Sequence, residues 1–224
     1  MGGIAQYALH HLTIQCYTPP NGTMGALQTL GFILGASFAS GLNLYATVAA
    51  LGLLHRFEVI RLPGSLEVLA DPVVLGIACV LYVIEFFADK IPYFDSLWDV
   101  VHTFIRPPAA GVLAYAAMGD VPEVWRLSAA LLAGTVALGS HGTKASTRAA
   151  VNASPEPFSN WILSLAEDGI AIVLVTLAVT HPILTLAIVL VLAVVSAYLL
   201  YKLFRFLRQV FRRAFRRPTQ PQQA

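Results

Sequence analysis

The stretch GIAIVLVTLAVTHPILTLAIVLVLAVVSAYLLY, residues 169–201, runs for 33 positions without Asp, Glu, Lys or Arg. About 20 apolar residues are enough for one helix to cross a bilayer, so this run exceeds what a single crossing needs. The first 55 residues also lack all four of these residue types. Both runs favour an integral membrane protein.

The composition of the whole chain agrees with this interpretation. Of its 224 residues, 57% are hydrophobic and 12% are charged, and the mean hydropathy is +0.71. These values argue against a soluble globule, a disordered chain and a nucleic-acid binder. Strand-like alternation is absent, and within lipid only helices or closed barrels satisfy the backbone. We therefore predict an all-α integral membrane protein whose main partner is the lipid bilayer, with no nucleic-acid partner.

The apolar segments predict about six transmembrane helices, over residues 27–54, 66–87, 100–117, 124–151, 161–180 and from 183 into the tail. We divide the chain into a loose N-terminal extension or start-site artefact (1–23), a first membrane repeat (24–118), a second membrane repeat (119–201) and a basic tail (202–224).

An internal duplication is predicted from matches between the two halves. Ser40 and Thr47 correspond to Ser140 and Thr147 at an offset of 100, and the triplet 69–71 corresponds to 165–167 at an offset of 96. Two units of three spans each are inverted relative to one another, which is a recurrent transporter plan. Both units carry a weak point in mid-helix, SGLNLY at 40–45 and GSHGTK at 139–144, so we expect an interrupted helix in each. Close packing of small residues is the alternative explanation.

Ionisable and polar residues inside the predicted spans are the candidate site, because such groups are costly in lipid and commonly face a cavity or a partner. We assign to a substrate or ion path the residues Asn43, Glu85, Asp89, Asp95, Asp99, His102, Arg106, Ser140, His141, Lys144, Arg148, Asn152, Glu167 and Asp168. The spacing leaves three interpretations open for the cluster between residues 85 and 106: an ion-pair network in which Asp99 or Glu85 neutralises Arg106 and Lys90, a proton or cation path, and a divalent metal site.

Lys144 and Arg148 lie with His141 on one helix face and need anions. We expect them to pair with Glu167 or Asp168, or with the cluster between residues 85 and 106, although a substrate carboxylate or phosphate is an alternative partner. Asp71, which precedes Pro72, is explained equally well as the N-cap of a helix. The polar segment 154–160 is either a re-entrant loop or a surface loop.

The C-terminal tail holds seven of the fourteen basic residues and no acid, which leaves the rest of the chain with a net charge of −5. By the positive-inside rule this predicts a cytoplasmic C-terminus. Phe and Arg recur in offset stripes from Phe204 and Arg205 onward, so we expect an amphipathic helix that continues from the last span and lies against anionic lipid.

No catalytic motif such as G-x-S-x-G or H-E-x-x-H occurs, which disfavours an enzyme, and no cofactor is predicted. Cys16 and Cys79 have no metal-ligand spacing. The favoured function is a transporter or translocator of an ion or small anionic solute with a charged midplane site. A structural or assembly protein and a membrane-embedded enzyme are the alternatives, and a homo-oligomer is left open.

Four polar stretches identify a family: SGLNLYAT (40–47), EFFADKIPYFDSLWDVVHTFIRP (85–107), SHGTKASTRAAVNASPEPFSN (140–160) and SLAEDG (164–169). Together they resemble the bacterial membrane family catalogued as domain of unknown function 4126, over about residues 30–180. The resemblance implies a small multi-pass protein of the bacterial inner membrane and carries no activity with it.

Overall fold

The computed structural model describes residues 25–91, 93–152 and 157–214, and every regular element within these residues is helical. The eight α-helices are α1 (Ala26–Leu42), α2 (Leu44–Arg56), α3 (Pro72–Ala88), α4 (Phe94–His102), α5 (Arg106–Ala117), α6 (Glu123–Asn152), α7 (Pro157–Thr180) and α8 (Pro182–Ala214), with a 3-10 helix over Leu66–Ala70 before α3. The predicted all-α class is confirmed.

Helix α1 lies at the centre of the bundle. All of its residues from Gly31 to Leu42 are buried, and α5, α6, α7 and α8 pack around it. A Cβ atom at Gly35 would come within 2.5 Å of the Thr185 methyl group and 2.7 Å of the Ala178 Cβ atom. A side chain at this position would therefore push α1 away from α7 and α8, and glycine permits the close approach.

Many large apolar side chains lie on the exterior of the bundle. They are well exposed, for example Leu131 (74%), Ile162 (70%) and Val194 (70%). Two helical stretches are long and apolar enough to cross a membrane by length and composition, Phe158–Thr180 in α7 and Pro182–Gln209 in α8. The arrangement of six spans and the inversion of the two halves stay predictions.

The predicted interruption of the first half is confirmed at Asn43. This residue has an extended backbone (φ −149°, ψ 103°) and separates α1 from α2. Its side-chain oxygen accepts a hydrogen bond from the Ala46 backbone N–H at 2.9 Å, which makes it the N-cap of α2. The first predicted span, 27–54, is therefore two helices.

The predicted interruption of the second half is wrong. Helix α6 runs without a break from Glu123 to Asn152, through Gly139 and Gly142. A glycine inside a helix costs only about 1 kcal/mol, which packing can offset. Ser140 donates its hydroxyl to the Ala137 carbonyl of the same helix instead of capping a new one.

Other boundaries differ from expectation for local reasons. The predicted span 100–117 is divided into α4 and α5, and Pro107 stands in the first turn of α5, where its missing N–H leaves no helical bond unmade.

Asp71 caps α3 by accepting from Val73 N at 2.8 Å, as the capping interpretation predicts.

Matched positions of the two halves differ in their surroundings. Thr47 is buried whereas Thr147 is exposed, and Asp71 is an exposed cap whereas Glu167 is buried. Helix α8 continues into the tail as far as Ala214, as predicted. Residues 157–160 of the polar segment form the first turn of α7 and not a loop. The predictions for residues 1–23, for Cys16, for residues 154–156 and for the tail beyond residue 214 lie outside the described residues.

Candidate functional site

The bundle gathers the predicted site residues into its interior. Thirteen of the fourteen are buried, with no more than 6% of their surface exposed, and only Asn152 is half-buried. They come from the α1–α2 break, α3, α4, the first residue of α5, α6 and α7. Residues that are far apart in the chain thus form one polar centre, which we call the charge network and define by these fourteen residues.

Lys144 is the central cation of the network. Its Nζ atom donates to Asp89 Oδ2 at 2.9 Å, to Glu85 Oε1 at 3.3 Å and to the Leu42 carbonyl at 3.0 Å. An ammonium group has three N–H donors, so all of them are used. Glu85 also forms an ion pair with Arg106 and thereby links α3 to both α5 and α6.

Arg148 lies one helical turn further along α6 and is equally well paired. Its guanidinium donates to Asp89 Oδ2 at 2.9 Å and to Glu167 Oε2 from both Nε and Nη2. A third carboxylate, Asp95, has its Oδ2 atom 3.7 Å from Arg148 Nη1. Both of its oxygens accept hydrogen bonds from the Asn152 amide. The expected pairing of Lys144 and Arg148 with acids of α3 and α7 is therefore confirmed.

The two ends of the broken helix meet groups of opposite charge. At the C-terminal end of α1, the Gly41 and Leu42 carbonyls accept from Arg106 Nη1 at 2.7 and 2.9 Å, and Leu42 accepts from Lys144 as well. At the N-terminal end of α2, the Asn43 amide donates to Asp168 Oδ1 at 2.8 Å. Because a helix carries partial negative charge at its C-terminus and partial positive charge at its N-terminus, both contacts stabilise the break.

The partners of His141 determine where its proton lies. Nδ1 is 3.0 Å from the Arg106 guanidinium, which can only donate, so Nδ1 accepts. Nε2 is 3.0 Å from the Asp99 carbonyl oxygen, which can only accept, so Nε2 carries the hydrogen. A ring held in this way is neutral, and it cannot take up a proton without losing Arg106. That does not favour the enzyme alternative in which His141 acts as a base.

His102 is held as a second neutral ring. Its Nδ1 lies 2.8 Å from the Trp98 carbonyl oxygen and must donate to it. Its Nε2 therefore accepts from the Tyr45 hydroxyl at 3.1 Å. The ring also packs on Trp98 at a centroid distance of 4.7 Å.

The charges of the described interior do not balance. Six carboxylates are buried there, of Glu85, Asp89, Asp95, Asp99, Glu167 and Asp168, against the three cations Arg106, Lys144 and Arg148. Lys90 is only partly buried, and counting it would still leave two carboxylates in excess. Uncompensated charge is costly in a low-dielectric interior, so the excess requires protons or other cations.

The ion-pair interpretation of the cluster between residues 85 and 106 is confirmed for Arg106 and wrong for Lys90. Glu85, one of the two acids expected to neutralise these cations, pairs with Arg106. Among the described residues no ion pair joins Lys90 to Glu85 or Asp99, and its ammonium instead donates to the Phe86 carbonyl and lies over the Phe86 ring. In the part of the chain that the structure describes, no three His, Cys, Asp or Glu side chains come together as metal ligands. Asp95 accepts from the Asn152 amide, and both ring nitrogens of His102 are used by Trp98 and Tyr45, so the metal interpretation has no geometric support.

Sequence reasoning missed several polar residues beside the network. Tyr45 and Thr103 contact the two histidines, and Ser164 lies 3.5 Å from the Lys90 ammonium. Asn160 and Ser164 are both buried and precede Asp168 at intervals of four, so they share its helix face. That spacing is the signal that could have identified them.

Comparison with known proteins gives one match. Searches of curated proteins and of solved structures found nothing similar to this chain. The model of one family, described as domain of unknown function (DUF4126), matches residues 30–202, a range that contains all fourteen residues of the charge network. The match covers most of the chain and bears out the resemblance carried by the four polar stretches, so the protein belongs to the DUF4126 family.

Proposed function

We propose that this chain is a multi-pass membrane transporter in which the charge network is the path of a proton or another small cation. The observation that supports this most is the excess of three carboxylates in an interior surrounded by apolar surface. A small anionic solute, the other substrate class suggested by the sequence, has weaker support. Lys144, Arg148 and Arg106 already donate to carboxylates and carbonyl groups.

The membrane location rests on the distribution of polarity. Nine charged side chains of the described chain are buried in the bundle, where a water-soluble protein rarely places them, and many large apolar side chains lie on its exterior. Helices α1 and α3 are apolar but only 17 residues long, at the lower limit for a crossing. Helix α6 has 30 residues, and its Lys144 and Arg148 are buried in the bundle. Six crossings then correspond to α1 with α2, α3, α4 with α5, α6, α7 and α8.

Proton uptake by the excess carboxylates provides a physical basis for movement. Glu167 holds Arg148 through a charge-assisted hydrogen bond that weakens when the carboxyl group becomes neutral. Arg148 joins α6 to α3 and α7, so losing this bond would loosen the contact of α7 with the other two helices. Transport follows if the network opens to one side of the membrane when protonated and to the other when ionised.

The orientation we propose puts the basic end of α8 at the cytoplasmic face of a bacterial inner membrane. Lys202, Arg205 and Arg208 are exposed on α8 next to the exposed Phe204 and Phe206. Basic residues interleaved with aromatic ones suit anionic lipid headgroups above an acyl boundary, each contributing about 1 kcal/mol. This end would fix orientation, while transport resides in the network.

Proteoliposomes test the proposal directly. The purified chain is reconstituted with a pH-sensitive dye inside, and a potassium diffusion potential is imposed across the membrane. We expect dye acidification with the unmodified chain, its loss with Glu167→Gln, and its retention with Glu123→Gln, which changes an exposed carboxylate of α6. If no gradient of protons, sodium or potassium is dissipated faster than in protein-free vesicles, the proposal fails.

A structural role is the second candidate, favoured by the complete use of the Lys144 donors. Such saturation is typical of a static network that fixes the fold. It predicts that Glu167→Gln lowers the yield of folded protein. The transporter proposal predicts that Glu167→Gln loses flux even when it is compared with the unmodified chain at equal amounts of folded, reconstituted protein. A purely structural role predicts no flux in the unmodified chain, so this comparison separates the two.

A further inference from the structure

Asp99 differs from every other buried carboxylate of the described chain. Its side chain is on α4 and only 2% of the residue is exposed, yet neither Oδ1 nor Oδ2 has a hydrogen-bond donor among the described residues. Glu85, Asp89 and Asp168 each have one such oxygen, while the other accepts from a donor. Asp95 is bound through both of its oxygens.

The charged groups that face Asp99 do not neutralise it. The charged groups that act on it through space are Lys144 and Arg148 of α6, Arg106 of α5 and Asp89 beside α3. No ion pair joins any of the three cations to the Asp99 carboxylate within the described residues, because Glu85, Asp89 and Glu167 hold them instead.

The groups next to Asp99 on its own helix and on α6 do not supply a counter-charge either. His141 contacts the Asp99 backbone carbonyl rather than its carboxylate, and His102 is a neutral ring engaged with Trp98 and Tyr45. Asp95, one turn earlier on α4, is itself acidic. An ionised Asp99 would therefore be a desolvated anion with no ion-pair or hydrogen-bond partner among the described residues.

A carboxyl group in these surroundings is far less costly when it is neutral. Among the described residues, no three His, Cys, Asp or Glu side chains come together to bind a divalent ion that could take the place of the proton. We propose that Asp99 is a proton-binding site and that, in the transporter proposed above, on which this second step rests, it carries the transported proton. The protonated acid would give the proton up when opening of the network admits water.

Infrared spectroscopy of the full chain in lipid tests occupancy. A protonated carboxyl group gives a carbonyl-stretching band that shifts on exchange into heavy water. We expect this band at neutral pH and a lower band intensity in Asp99→Asn. The matched control is Asp71→Asn at the exposed N-cap of α3, where Asn caps as well as Asp, and the band should persist there. A band of unchanged intensity in Asp99→Asn overturns the proposal.

A second measurement needs no substitution and so does not depend on the variant folding. Hydrophobic carbodiimides react with protonated, solvent-shielded carboxyl groups, and mass spectrometry locates the modified residue. We expect Asp99 to be labelled in the unmodified chain, with labelling that decreases as pH rises. Labelling of other acids while Asp99 stays unmodified contradicts the proposal.

Proteoliposomes separate this inference from the proposed function. Lower band intensity together with loss of the proton flux in Asp99→Asn supports the site and its role in transport. Lower band intensity in Asp99→Asn, in a chain that moves no ion even when unmodified, supports the proton site and overturns transport. Flux that is unchanged in Asp99→Asn supports transport and overturns the assignment of Asp99 as the carrier.

Discussion

Replacing Lys144 by Met tests whether the charge network holds the fold together. The residue is only 2% exposed, and its ammonium group joins Glu85 and Asp89 at the end of α3 to the Leu42 carbonyl of α1. Removing one partner of a buried ion pair costs about 3–5 kcal/mol, because a charge is left uncompensated. Each of the two carboxylates keeps a second cation here, Arg106 or Arg148, so we expect the lower end of this range, about 3 kcal/mol.

The assay is reversible unfolding in mixed micelles, followed by circular dichroism and extrapolated linearly to zero denaturant. Lys202→Met is the matched control, since Lys202 is exposed on α8, and such surface changes cost about 0.5 kcal/mol or less. Adding Asp89→Asn to Lys144→Met should recover part of the loss, because Arg148 keeps Glu167 as its partner. Equal stabilities of Lys144→Met and Lys202→Met would refute the reasoning, and strict additivity in the double variant would show that the two charges are not coupled.

Three further predictions concern packing, capping and orientation. Gly41→Ala should lower the free energy of unfolding by about 1–3 kcal/mol in the same assay, because a Cβ atom there overlaps the Ser140 hydroxyl and the Ala137 carbonyl. The control Gly139→Ala places its Cβ atom in open space and should cost nothing, so equal costs would contradict the packing. Asn43→Ala should lower the free energy of unfolding by at least the amount expected for loss of an N-cap alone, about 1 kcal/mol, because the Asn43 amide also binds the buried Asp168 carboxylate. The comparison is Asp71→Ala, which removes only a cap, and a smaller loss for Asn43→Ala would count against the bond to Asp168. Truncation after Tyr201 should leave flux intact while lowering the bias of a C-terminal reporter toward the cytoplasm; a reporter on the periplasmic side of the full chain would reverse the proposed orientation.

The residue types and their spacing were enough to choose the candidate site. Charged residues in otherwise apolar helices are costly wherever they face lipid, so their presence alone indicated an interior network. The helical spacing of His141, Lys144 and Arg148 predicted one common face, and all three are buried. Asp71 before Pro72 likewise indicated a cap from purely local chemistry.

Tertiary structure decided which charge meets which. Glu85 and Asp99 were equal candidates for neutralising Arg106, because sequence spacing describes one helix and not the distance between helices. It also decided that the chain breaks at Asn43 and continues through Gly139. Both segments contain glycine, but only Asn43 finds a partner for its amide, Asp168 on α7, and cations for the carbonyl groups that the break exposes. A helix interruption is stable where other helices satisfy its backbone groups, and the sequence of one segment does not contain those partners.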